Sequence, residues 1–151
     1  MPAVFQTSPI GAGGESHVTV IHCADPRYQP HFQEFLRSHL DLQHYALIAV
    51  PGGAQWMTLV DYLPKFSWAG WRFVKFVRQV ARTDRVILIA HAECRWYEDM
   101  RFGIALSRLR EQQIDDLRKV RRALQERFAP LTVECYYAAF EAERVSFEAI
   151  S

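Results

Sequence analysis

Short apolar runs alternate with segments of helical spacing along most of the chain. Residues 17–22 (HVTVIH) form a β-branched run that predicts a buried strand. Residues 30–40 place Phe32, Phe35, Leu36 and Leu40 at helical intervals. A second apolar strand is predicted over residues 45–50 (YALIAV), stopped by Pro51-Gly52-Gly53. Residues 64–82 read as a helix, with Phe66, Phe73, Val77 and Val80 on or near one stripe. Residues 85–90 (RVILIA) are a third, fully apolar strand. A long amphipathic helix follows over residues 102–128, with Phe102, Leu106, Leu109, Leu117, Val120 and Leu124 at steps of three or four. Pro130 ends it, and residues 131–138 and 144–150 are two further strands.

Apolar strands separated by helices give β-α-β-α-β, the signature of a parallel sheet covered on both faces. The expected fold is therefore α/β: a mainly parallel sheet of four to five strands with helices on both faces, in one of a few doubly wound arrangements. Right-handed crossovers restrict the alternatives. The 151 residues suit one domain. We expect it over residues 17–151, after a flexible, Gly-rich tail over residues 1–16.

Composition narrows the function classes. Half of the residues are apolar and 23% are charged, which excludes a disordered chain. The net charge of +1 supplies no overall field for nucleic acid or an anionic membrane. Residues 101–127 hold eight basic and four acidic residues, read as the solvated face of an amphipathic helix. No apolar run reaches the roughly 18 to 20 residues of a membrane span, and no signal peptide is visible. Three cysteines cannot form a disulfide framework. A reduced, cytoplasmic chain is the expectation, in which cysteines serve as metal ligands, reactive thiols or small core residues.

In open α/β sheets, ligands bind at the carboxyl ends of the strands. The first strand ends in Cys23-Ala24-Asp25-Pro26-Arg27, the second in Pro51-Gly52-Gly53, the third in His91-Ala92-Glu93-Cys94. A 2-1-3 order brings the first and third ends together. Cys23, Asp25 and Arg27 alternate along extended backbone and can line one wall. His91 and Cys94, three apart, would share a face in a helical first turn. Cys23, His91 and Cys94 then make a Cys2His set of the kind that binds zinc and leaves a fourth tetrahedral position open. Arg27 can hold the Asp25 carboxylate away from that position by charge-assisted hydrogen bonds. Two other readings of the thiols stand beside this one: a redox pair of Cys23 and Cys94, or plain core cysteines.

The pattern C-x-D-x-R followed, after a β-α-β passage, by H-x-x-C resembles the β-class carbonic anhydrases. The resemblance runs from about His17 to Cys94 and more loosely over the rest of the sheet. It implies strand order 2-1-3-4, with Cys23, His91 and Cys94 as zinc ligands and Asp25–Arg27 as the catalytic dyad. It also implies hydration of CO2, or a related small linear electrophile, through zinc-bound hydroxide. The segment around His22-Cys23, Asp25-Pro26-Arg27 and Pro51-Gly52-Gly53-Ala54 is closer still to a small, divergent branch of that family. The pattern departs from typical members in three places. Arg95, Trp96 and Tyr97 follow the second cysteine where Gly is usual. The residues Val50 to Ala54 replace a polar segment. Sixteen Gly-rich residues leave no room for a dimer-embracing helical arm. The alternative reading is accordingly a non-catalytic zinc-binding regulatory or interaction protein on the same fold.

The remaining candidates read more plainly. Cys135, inside an apolar strand, is a buried small hydrophobe. His22, His31, His39 and His44 lack partners at ligand spacing and read as surface or capping residues. Glu93 reads as a solvated loop carboxylate, with a proton shuttle as the other option. Gly11-Ala12-Gly13-Gly14 precedes a strand rather than following one, so it is not read as a phosphate loop. One helical face buries only some of Tyr62, Phe66, Trp68, Trp71, Phe73 and Phe76, which suggests a homodimer contact or a pocket lid; the equal alternative is an aromatic-rich core helix.

Overall fold

The computed structural model describes residues 3–7, 16–60, 62–99 and 103–151. Most of the expected tail, including Gly11 to Gly14, lies outside them, as does Phe102, the first residue of the predicted long helix. Among the described residues, five strands make one sheet: β1 (Val18–Cys23), β2 (Ala46–Val50), β3 (Arg85–His91), β4 (Thr132–Glu141) and β5 (Arg144–Ile150). Their order is β2-β1-β3-β4-β5. The first four are parallel, and β5 returns antiparallel to β4. The sheet is thus the mainly parallel one expected, with the fifth strand closing the β4 edge.

Strand position follows burial. β1 lies between β2 and β3, and all six of its residues are buried, as a sheet covered on both faces requires. Alternate side chains serve two cores. Ile21, Val86, Leu88, Val133 and Cys135 face one layer; Val18, Val20, Ile87, Ile89 and Ala138 face the other. Cys135 sits in the first of these cores as a buried thiol.

The helices divide between the two faces. On the second face lies α1 (Gln29–Glu34), which runs into a π-helical turn over Phe35–His39. The wider turn carries the Leu40 N–H back to the Phe35 carbonyl and lets Phe32, Phe35 and Leu36 all turn inward. On the first face lie α2 (Pro64–Val80), α3 (Leu109–Arg127) and a short 3-10 segment, Gly53–Thr58, between them.

Two helices differ from expectation. The predicted stripe of α2 is not its buried face: Phe66, Phe73 and Val80 are exposed, while Ser67, Gly70 and Val74 are buried. Small residues let this helix approach closely, since a Cβ on Gly70 would lie 2.9 Å from Met57 Cγ. Ser67 Oγ and Trp71 Nε1 both donate to the Met57 carbonyl. The helix expected from residue 102 begins instead at Leu109. Gly103 has φ +61°, Ala105 is extended, and only a 3-10 turn, Leu106–Arg108, precedes α3.

From there α3 packs Ile114, Leu117, Val120 and Leu124 on the sheet. Leu124 is fully buried, so Leu124→Ala should lower the unfolding free energy by about 2 to 5 kcal/mol. Urea denaturation measures this, and a loss under about 1 kcal/mol would show that α3 does not close the core.

Candidate metal centre

Parallel pairing of β1 with β3 brings their carboxyl ends side by side, and Cys23 and His91 are the last residues of the two strands. Cys94 returns to them through a tight turn rather than the helical turn expected from its spacing. The Ala92 N–H donates to the Ala138 carbonyl, prolonging the ladder by one bond. Glu93 then adopts a left-handed conformation, φ +53°, which reverses the chain. A non-glycine residue holds that conformation only when its surroundings impose it. Here Arg27 Nη2 donates to the Glu93 carbonyl at 2.7 Å.

The ligand-type atoms of Cys23, His91 and Cys94 all lie within 4.8 Å of one another, in a group that could hold a metal ion. The two sulfurs are 3.8 Å apart. His91 Nδ1–H donates to the Ala92 carbonyl at 2.8 Å, which commits that nitrogen and leaves Nε2 with the lone pair. Nε2 is buried and has no hydrogen-bond partner among the described residues. Buried polar atoms are nearly always satisfied, so such an orphan facing two sulfurs fits a metal ligand. The chemistry of the donors agrees, because two thiolates and one imidazole suit a soft-to-borderline divalent ion.

The thiols are polarised against each other. A hydrogen bond from Cys94 holds the Cys23 thiol far below its ordinary range, toward about 4, with the Gly52 N–H adding to it against burial. The Gly52 N–H lies 3.3 Å from Cys23 Sγ. The same bond, with burial, pushes Cys94 upward. The pair therefore shares one proton in the absence of a cation, and either thiol's titration belongs to both.

Asp25 and Arg27 form a compact ion pair beside this group. Arg27 Nη2 and Nε reach both Asp25 oxygens at 2.7 to 3.3 Å, and the Arg27 backbone N–H donates to Oδ1 at 3.0 Å. The Arg27 guanidinium and N–H hold the Asp25 carboxyl below its usual range, so it remains ionised. Glu93, between the candidate ligands in sequence, is an exposed carboxylate 3.5 Å from Arg27 Nη1.

Deeper supports were not foreseen from sequence. Gln113 Nε2 donates to the His91 carbonyl at 2.9 Å, and the Tyr97 hydroxyl donates to Asp116 Oδ2 at 2.9 Å. Gln112 Nε2 holds the other Asp116 oxygen at 3.0 Å. Both Gln113 and Asp116 are buried on the face that α3 turns to the sheet, so polar residues on an apolar stripe were the available signal. His22 is a correction: far from the surface, it is almost completely buried. Its Nδ1–H donates to the Cys23 carbonyl at 2.8 Å and its ring lies 4.6 Å from Phe32, an environment that lowers its pKa by desolvation. Tyr28, also buried, packs its ring 4.3 Å from the His91 imidazole.

Cys23, Asp25, Arg27, Pro51, Arg95 and Trp96 line an open cleft of about 400 Å³ over this edge. One wall is the Trp96 indole, whose Nε1–H donates to Gln55 Oε1 and whose ring lies over Gly52.

The fold is that of the β-carbonic anhydrases. The chain is similar in structure to isoform I from the protozoan Trichomonas vaginalis, with 13% identity and a TM-score of 0.51, over 96% of this chain and 87% of that one. It is also similar to a tetrameric β-carbonic anhydrase of the ascomycete Sordaria macrospora, with 12% identity and a TM-score of 0.53, over 89% and 81% of the two chains. A third likeness is to the β-carbonic anhydrase CafA of Aspergillus fumigatus, with 12% identity and a TM-score of 0.50, over 92% and 78%. No family model matches the sequence, and no curated protein matches it significantly.

The thiol pairing has a direct test in metal-stripped protein. An acid whose pKa is depressed loses its charge only as pH falls through the lowered value, so thiolate absorbance near 240 nm should persist at pH 6, where ordinary thiols are protonated. Cys94→Ala should return it to the ordinary range. Absorbance that vanishes below pH 8 in the unsubstituted chain would sink the shared-proton description.

Proposed function

We propose that this chain is a zinc protein whose three-residue centre hydrates CO2 or a related small linear electrophile. The observation that carries the reading is the buried His91 Nε2, without a hydrogen-bond partner among the described residues and grouped with the sulfurs of Cys23 and Cys94. Zinc held by these residues would act as a Lewis acid and lower the pKa of a coordinated water. The protein's own part is positional and electrostatic. Two thiolate charges balance a divalent cation. Asp25, kept ionised by Arg27, is an acceptor that can orient a nearby O–H while its oxygens stay committed to the guanidinium. Arg27 fixes both the Asp25 loop and the Glu93 turn, so it holds the two sides of the site at a set distance. Asp25 and Arg27 are the catalytic residues of this proposal; Cys23, His91 and Cys94 are its metal ligands.

The second reading is a non-catalytic zinc-binding regulatory or interaction protein. An apolar surface favours it: Tyr62, Phe66, Trp68, Phe73 and Phe76 all stand exposed on or beside α2, Trp68 by 71%. Faces of this kind mark contacts with other chains, and under either reading we propose a homodimer through it. No described helix is long and apolar enough to cross a membrane. Three unpaired cysteines suit a reducing compartment, and we propose a cytoplasmic location.

Metal analysis of anaerobically purified protein should give one zinc per chain, lost in His91→Ala and Cys94→Ser. Stopped-flow CO2 hydration between pH 7 and 9 should exceed that of Cys23→Ser, and Asp25→Asn should fall at least tenfold, the scale of a lost proton-handling group. Stoichiometric zinc without hydration would leave the second reading; absence of any metal would remove both. Sedimentation at micromolar concentration should give a dimer mass, and Trp68→Asp with Phe73→Asp should return a monomer.

A further inference from the structure

We propose that the cleft over Cys23 captures a small organic carboxylate, with Arg95 as its counter-charge and the Trp96 indole as its flat apolar wall. The cleft's size is the first ground. About 400 Å³ lies within the range of pockets that take organic ligands, whereas a triatomic molecule would occupy a small corner of it. Charge is the second. Two guanidiniums and the Asp25 carboxylate line the cleft, and Arg27 already spends its donors on Asp25 and on the Glu93 carbonyl and carboxylate. Among the described residues Arg95 has no hydrogen-bond or ion-pair partner, so its planar fork of donors is available to a carboxylate arriving from solvent.

The wall is the third ground, because it is built before any ligand arrives. Trp96 Nε1–H is tied to the buried Gln55, and the indole lies so close over Gly52 that a Cβ there would stand 2.2 Å from Trp96 Cδ1. A ligand therefore meets a fixed aromatic face, with Pro51 beside it, and orders no side chain except Arg95. An anion with a flat or short apolar body matches this combination of a guanidinium unpaired among the described residues and a rigid ring. Capture by Arg95 and Trp96 requires no metal. A carboxylate is no electrophile for hydroxide, so this capture stands apart from the zinc reading above.

The test uses the full chain, both as purified and after chelator treatment, with benzoate as probe and benzamide as its neutral counterpart. Binding is followed by the Trp96 indole N–H resonance, assigned from its absence in Trp96→Phe. Benzoate should shift it saturably in both preparations and benzamide should bind at least tenfold more weakly. Arg95→Gln should lower benzoate affinity about tenfold, the scale of a lost charge-assisted pair, while Arg122→Gln on the exposed side of α3 leaves it unchanged. Equal binding by Arg95→Gln, equal binding of benzamide, or no saturable shift at tens of millimolar would each overturn the proposal. So would binding that disappears with the chelator, since the carboxylate would then sit on the metal. Zinc content of the same samples keeps the two ideas separate. Arg95-dependent binding without zinc sinks the metal reading alone, and stoichiometric zinc without such binding sinks this one alone.

Discussion

Everything at the site depends on one pairing, the parallel contact of β1 with β3. A parallel ladder ends both strands at the same edge, and here those ends carry a thiol and an imidazole. An antiparallel pairing would have put Cys23 and His91 at opposite edges, some 20 Å apart for strands of this length. The interior position of β1 matches its burial, because only a strand covered above, below and on both sides can bury all six residues, Thr19 and His22 among them. The same burial that fixes the strand dries the site, and a dry site makes an unpartnered imidazole nitrogen costly unless a ligand satisfies it.

Strand ends are loops, and loops need to be held. Two sets of contacts do this from opposite sides. From the solvent side, Arg27 bridges Asp25 to the turn at Glu93. From the interior, Gln113 takes the His91 carbonyl, and Asp116 takes the Tyr97 hydroxyl three residues beyond Cys94. Asp116 is a buried carboxyl whose pKa burial raises, and its partners Tyr97 and Gln112 supply the hydrogen bonds that compensate. The arrangement places a helix 19 residues long, anchored in the core, directly behind the second half of the site.

Much of this was readable from the sequence, for definable reasons. Strand identity came from runs such as RVILIA, and strand order from the family likeness within the few arrangements that right-handed crossovers allow. The convergence of Cys23, His91 and Cys94 at one edge followed from those two facts. What failed was whatever depends on the third dimension of packing. The aromatic stripe of α2 looked like a core face, but Ser67 and Gly70 win because they admit the closer approach to Met57. His22 looked like a surface residue because histidine usually is, whereas alternation along a fully buried strand forces it inward. The positive φ at Glu93 replaced a helical turn, a choice set by the Arg27 contact and invisible in local spacing.

Gly52 joins the parts of the site in a single residue. It turns the chain after β2 with φ +75°, offers its N–H to Cys23 Sγ, and leaves the space that the Trp96 ring fills. Position 52 is therefore not free to drift by itself. A methyl group there would strain the turn, displace the indole and disturb the amide that faces the sulfur, all in one step. A lineage could leave glycine only along a mutational path in which Trp96 had first become smaller. In that sense the identities of residues 52 and 96 are one inherited choice, although 43 positions separate them in the chain.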